Sequence, residues 1–176
     1  LITPFKNYDV DYEALGRMVE YVIEGGVDYI VALGSTAETA TMSLEERDKV
    51  LRFIVKHTAG RVSIVAGMGS NDTHALVEQL RTFDLSGTVG ILSVVPYYNK
   101  PSQEGVYRHF MAVAEASPVP VIIYNVPGRT GLNMTAQTTL RLARATDKIV
   151  AIKEACGNIE QMQQILDGRP DNFLVL

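Results

Sequence analysis

The sequence predicts an α/β protein of the (β/α)8 TIM barrel class, as a truncated barrel with about six to seven of the eight βα units. Three features of the chain point there. Short apolar runs alternate with amphipathic helical stretches from end to end, the pattern of right-handed βαβ units around a parallel sheet. Polar and aromatic residues follow nearly every strand, as expected where βα loops converge on one site. The rival open, doubly wound sheet lacks its mark: Gly67-Met68-Gly69 follows a strand, but the dinucleotide fingerprint needs a glycine at 72, where Asp72 stands.

Residues 1–5 read as the end of a strand. Acids at 9, 11 and 13 suit a helix start, Leu15, Met18, Val19, Val22 and Ile23 continue it at helical spacing, and Gly25-Gly26 stops it. A strand over 27–33 leads into Gly34-Ser35-Thr36. Ser43 with Glu46 forms a capping-box pattern for a helix to about residue 58. A strand over 62–66 ends at Gly67, and Asn71-Asp72 opens a helix through 80. Next come a strand over 88–92, the loop Pro96-Tyr97-Tyr98-Asn99, and a helix from Ser102 to about 116. A strand over 119–124 precedes a loop over 125–131. Thr135 begins the following helix, and an apolar strand from 149 runs into Lys153. Asn158 caps a further helix, and 173–176 reads as one more strand, cut short. A complete barrel runs to about 250 residues, so residues 1–176 are expected to form a partial barrel domain lacking the first strand and the C-terminal units.

Composition narrows the function classes. Apolar residues make up 47% and charged residues 20%, ordinary for a globular domain. A formal charge of -4 gives no reason to expect nucleic acid or an anionic membrane as partner. The single cysteine, Cys156, precludes an intramolecular disulfide and fits a reducing compartment. No apolar run nears the ~20 residues of a membrane span. A soluble, cytoplasmic protein is expected.

Lys153 is the first candidate for chemistry. At the carboxyl end of a buried strand it either snorkels to water or stands in a polar pocket as a desolvated amine able to attack a carbonyl. Tyr124 also ends an apolar strand, with its phenol either in water or at the same mouth. Ser35 and Thr36 place adjacent hydroxyls on a tight turn, suited to a carboxylate or simply to capping a helix. Arg129, in a Pro-Gly loop, could clamp a carboxylate bidentately or lie on the surface. Tyr97 and Tyr98 suit interface packing as well as chemistry. His57, His74 and His109 fall within helices without metal-ligand spacing, and Cys156 has no partner histidine for a thiol nucleophile.

Four segments together carry a resemblance over essentially the whole chain. Gly34-Ser35-Thr36-Ala37-Glu38, Pro96-Tyr97-Tyr98-Asn99-Lys100-Pro101, Tyr124-Asn125-Val126-Pro127-Gly128-Arg129-Thr130-Gly131 and Ile152-Lys153-Glu154-Ala155 resemble the dihydrodipicolinate synthase branch of the N-acetylneuraminate lyase family of pyruvate-dependent class I aldolases. The resemblance implies a condensation of pyruvate with aspartate semialdehyde in diaminopimelate and lysine biosynthesis, through a lysine imine, with neither metal nor cofactor. Lys153 resembles the Schiff-base lysine, Tyr124 the proton-shuttling tyrosine, and Ser35 the relay hydroxyl, usually a threonine. Thr36 resembles the residue that holds the pyruvate carboxylate, and Arg129 the one that binds the semialdehyde carboxylate. Tyr98 resembles a relay tyrosine that reaches into a neighbouring subunit, which implies a homo-oligomer, a dimer of dimers. Ser35 and Ala37 depart from the family's usual threonine and glycine, which loosens the relay hydroxyl without removing it. Ala75 and Arg47 stand where lysine-inhibited members carry an acid and a histidine, so inhibition by lysine is not expected. Two alternatives stay open: another aldolase of the family, resembling N-acetylneuraminate lyase, and a non-catalytic barrel that binds a keto acid.

Overall fold

Side-chain caps and buried apolar stripes set the elements of this chain, whose computed structural model describes residues 1–176. The chain forms two units, Leu1–Gly67 with Phe83–Ile91, and Met68–Thr82 with Leu92–Leu176.

In the first unit, β1 (Phe5–Lys6) and β2 (Asp9–Val10) make a small antiparallel hairpin, with Asn7 and Tyr8 both at positive φ. This corrects the expectation of a strand end followed by a helix from residue 9. Asp9 and Val10 belong to the hairpin ladder, and α1 (Tyr12–Glu24) begins later, where the Asp11 side chain accepts from the Ala14 amide. β3 (Tyr29–Ala32) pairs in parallel with β4 (Ser63–Gly67), Tyr29 facing Ser63 and Ala32 facing Ala66. Between them α2 (Leu44–Thr58) starts with the expected capping box: Glu46 N–H donates to Ser43 Oγ and Ser43 N–H to Glu46 Oε2. Leu15 and Val19 of α1 and Val50, Leu51 and Ile54 of α2 are buried.

The next elements in the chain are α3 (Thr73–Thr82), whose first turn is capped by Asp72, and β5 (Gly90–Val94). In the second unit α4 (Gln103–Ala116) is capped by Ser102. β6 (Val121–Asn125) is followed by a single-turn helix, α5 (Pro127–Thr130), where only a loop is expected from the sequence. Pro127 presets the first helical φ and Gly131, at φ 72°, ends the turn in the left-handed region. α6 (Ala136–Ala145), β7 (Ile149–Glu154), α7 (Ile159–Gly168) and β8 (Leu174–Val175) complete the chain, with Thr135 and Asn158 capping the two helices. β7 pairs in parallel with β6 on one side and β8 on the other. The β6–β7 register begins at Val121 with Ile149 and resumes at Ile122 with Ala151, leaving Val150 as an extra residue, a bulge. Phe110 and Val113 of α4, Leu142 of α6 and Ile165 of α7 are buried, as are the strand residues Val121, Ile123 and Ile152. Each such side chain contributes roughly 1.5–3 kcal/mol through burial.

His109 of α4 is buried. Its Nδ1 lies 2.8 Å from Thr73 Oγ1, Nε2 has no partner, and desolvation pushes its pKa down from 6.5 to about 4. Between those values the unfolded chain binds the proton and the folded one does not. The stability this lends is therefore complete above pH 6.5 and falls away as the pH drops to about 4, by roughly 3 kcal/mol in all. Denaturant unfolding of the full-length protein at pH 7, 5.5 and 4 should show this fall, and His109→Gln should lack that component. Parallel curves for the two proteins would overturn the assignment.

Candidate active site

The carboxyl ends of β6 and β7 present their side chains in pairs, because a strand repeats every two residues. Tyr124 faces Lys153 and, one residue on, Asn125 faces Glu154 on the other side of the sheet. On the first side Lys153 Nζ stands 4.6 Å from the centroid of the Tyr124 ring. The amine makes no ion pair and the phenol no hydrogen bond to the rest of the chain, so both are available to a ligand. Of the two sequence options for Lys153, the desolvated one does not describe this chain. Lys153 is exposed whereas Tyr124, which faces it across the sheet, is buried. The aromatic face, not burial, is what locates the amine.

The opposite side holds what sequence reasoning missed. Glu154 and Asn125 are buried and meet Gln161 from the first turn of α7, together with Asn133 and the Met134 backbone. Strict two-residue alternation after Tyr124 and Lys153 was the available signal.

Arg129 and Tyr98 occupy linked segments of this unit. Arg129 sits on α5, exposed, and its guanidinium has no partner. By contrast Arg17, Arg52, Arg61, Arg81, Arg108 and Arg141 all pair with acids. An unpaired fork at a loop is free to take a carboxylate bidentately. Tyr98 is 89% exposed and held at φ 71°, and its amide donates to the Thr130 carbonyl beside Arg129 at 3.4 Å. A non-glycine residue in the left-handed region costs on the order of 1 kcal/mol and draws attention to the loop as functional.

Ser35 and Thr36 belong to the first unit. They open a 3-10 turn after β3, both exposed, with hydroxyls that bond no other group of the chain. The first amides of such a turn have no preceding carbonyl to bond, so hydroxyls and amides together suit a small carboxylate. Leu33 precedes the turn at φ 57°, and Thr39 Oγ1 donates to the carbonyls of Leu33 (2.8 Å) and Gly34 (3.0 Å), which fixes the turn's path. Gly67 makes room for it: a Cβ there would lie 2.0 Å from the Leu33 carbonyl oxygen.

The histidines lie on helices as expected, His57 beside Glu20 and stacked on Phe53. Burial pushes the Cys156 thiol up, away from thiolate chemistry.

Comparison with known proteins identifies the family. The model of the dihydrodipicolinate synthetase family matches residues 1–176. The 4-hydroxy-tetrahydrodipicolinate synthase of Parabacteroides distasonis is 54% identical over all of this chain and 60% of its own length. The solved dihydrodipicolinate synthase of Aquifex aeolicus is 44% identical with a TM-score of 0.95, over all of this chain and 60% of that one. A chloride-inhibited dihydrodipicolinate synthase of Acinetobacter baumannii, solved in complex with pyruvate, is 40% identical with a TM-score of 0.94, over 99% of this chain and 60% of that one. These matches bear out the (β/α)8 fold class expected from the sequence. This chain spans about 60% of the length of the curated relatives it matches.

Gly67→Ala should destabilise the full-length protein by about 1–3 kcal/mol through overpacking against the Leu33 carbonyl. Denaturant unfolding checks this, and a change under about 0.5 kcal/mol would show that the turn has room to shift.

Proposed function

Because this chain belongs to the dihydrodipicolinate synthetase family, we propose that the protein condenses pyruvate with L-aspartate 4-semialdehyde to 4-hydroxy-tetrahydrodipicolinate, a step of diaminopimelate and lysine biosynthesis. The observation that carries this reading is the pairing of Lys153 with Tyr124, an unpaired amine 4.6 Å from a buried tyrosine ring at adjacent strand ends. The amine of Lys153 adds to the keto carbon of pyruvate, and the adduct loses water to give an imine. The imine nitrogen accepts electrons as a methyl proton leaves, and the resulting enamine carbon attacks the aldehyde carbon, whose oxygen takes a proton. The amino group of the semialdehyde then adds to the imine carbon, and the ring closes as Nζ departs. Tyr124, with the hydroxyls of Ser35 and Tyr98, moves the protons; Thr36 holds the pyruvate carboxylate and Arg129 that of the semialdehyde.

The imine itself is the electron sink, so the chemistry calls for neither metal nor resident cofactor. The free guanidinium of Arg129 favours an aldehyde that carries a carboxylate over a polyol. The exposure and left-handed backbone of Tyr98 support a homo-oligomer, a dimer of dimers, in which Tyr98 reaches a neighbouring subunit. No helix is long and apolar enough to cross a membrane, and with one cysteine the protein suits the reducing cytoplasm.

Borohydride reduction of the full-length protein with pyruvate should leave a pyruvyl adduct on the Lys153 peptide, and Lys153→Ala should lose both adduct and turnover. Absence of an adduct on Lys153 would defeat the Schiff-base mechanism. Tyr124→Phe should slow turnover by about 10²- to 10⁴-fold, the usual worth of a positioned proton donor. Arg129→Ala should raise KM for the semialdehyde while leaving pyruvate trapping unchanged, which a steady-state assay beside the trapping assay will separate.

A further inference from the structure

We infer that Glu154, which the reaction above does not use, is a positioning residue for Lys153 and Tyr124; this rests on the Schiff-base reading. Glu154 is 7% exposed, on the side of β7 away from Lys153, and no arginine, lysine or histidine pairs with it. Its partners are amides, with the Cys156 thiol beside them. Cys156 N–H donates to Oε1 at 2.9 Å, Asn125 Nδ2 lies 3.0 Å from each carboxyl oxygen, and Gln161 Nε2 donates to Oε2 at 3.1 Å. The same two side-chain amides face Asn133 Oδ1 at 2.8 and 3.3 Å and the Met134 carbonyl at 3.2 and 3.0 Å.

The donor count explains why an acid is needed. Two primary amides carry four protons, and they are surrounded by four acceptors, the two Glu154 oxygens, Asn133 Oδ1 and the Met134 carbonyl. The remaining amide oxygens are taken by Met134 N–H, at 3.0 Å from Asn125 Oδ1, and by Asn133 Nδ2, at 2.8 Å from Gln161 Oε1. The network is fully matched only while Glu154 accepts through both oxygens.

Stability alone does not call for such a network. Two residues earlier on the same two strands, and on the same side, Ile123 faces Ile152, both buried, and an apolar pair is as good as or better than a buried polar one for stability. What the polar network adds is direction. It ties the last residue of β6 to the last of β7 and both to α7, and Ala155 N–H extends the tie to the Asn125 carbonyl at 2.8 Å. Tyr124 and Lys153 are the preceding residues of those strands, so where their side chains project follows from how the pair behind them is held.

Glu154→Gln adds a fourth primary amide to those of Asn125, Gln161 and Asn133 and unbalances the count. In the full-length enzyme the rate constant for borohydride-trapped pyruvyl adduct and kcat should both fall about 10- to 100-fold, the scale of a misplacement near 1 Å, with KM for the semialdehyde held within about threefold. A folding defect would lower the amplitude of trapping and leave its rate constant alone, so the rate constant is the readout. A wild-type rate constant in Glu154→Gln overturns the inference. Should Glu154→Gln not fold, Glu154→Asp is read the same way, and a wild-type rate constant there overturns it equally. Failure of the wild-type enzyme to trap pyruvate overturns the Schiff-base reading itself.

Discussion

Parallel pairing of β6 with β7 decides what stands on either side of the sheet at its carboxyl end. With Tyr124 set opposite Lys153, the two-residue repeat of a strand obliges Asn125 to lie opposite Glu154 on the reverse side. One side then offers an unpaired amine beside an aromatic face, and the other is closed by amide hydrogen bonds to α7 and the Met134 backbone. The side that carries Lys153 is free of partners, and the hydrogen bonds of the strand-end side chains gather on the far side. A one-residue slip would exchange the two sides, burying the lysine and exposing the acid.

A second division of labour holds in the first unit, where backbone and side chain have separate tasks. Thr39 bonds the carbonyls of Leu33 and Gly34 and Gly67 yields space to that of Leu33, while Ser35 and Thr36 commit their hydroxyls to nothing. The strained φ of Leu33 is sustained by those neighbours.

Much of this was legible in the sequence, and the reasons differ by element. The capping box at Ser43 and Glu46 and the caps at Ser102, Thr135 and Asn158 depend on residues three or four apart, so local pattern suffices. Lys153 and Tyr124 were visible as the polar ends of apolar runs, while the choice between water and a shared mouth was not. Arg129 and Tyr98 stood out only through the motifs around them, since one loop arginine looks like another until its lack of a partner is seen. The hairpin over Phe5–Val10 escaped because Asp9 and Asp11 also read as helix-start acids, and α5 because one turn has no periodicity to detect. The Glu154 network escaped because its members lie far apart in the chain, Asn125 and Gln161 on different elements, and an acid after a strand-end lysine reads as solvated. Exposure of Lys153 was not legible either: pattern locates a residue on a strand, not the depth of water above it.

The bulge at Val150 has a consequence for how such a sheet tolerates change. From Val121 to Tyr124 is three steps along β6, while from Ile149 to Lys153 is four along β7, and the looped-out residue absorbs the difference. The lysine is thus indexed to its tyrosine from the carboxyl end of the strands, not from their start. Position counted from a strand's first residue is then a poor guide to which residue stands opposite Tyr124. An alignment of distant barrels should be anchored on the strand ends, with its gaps placed ahead of them.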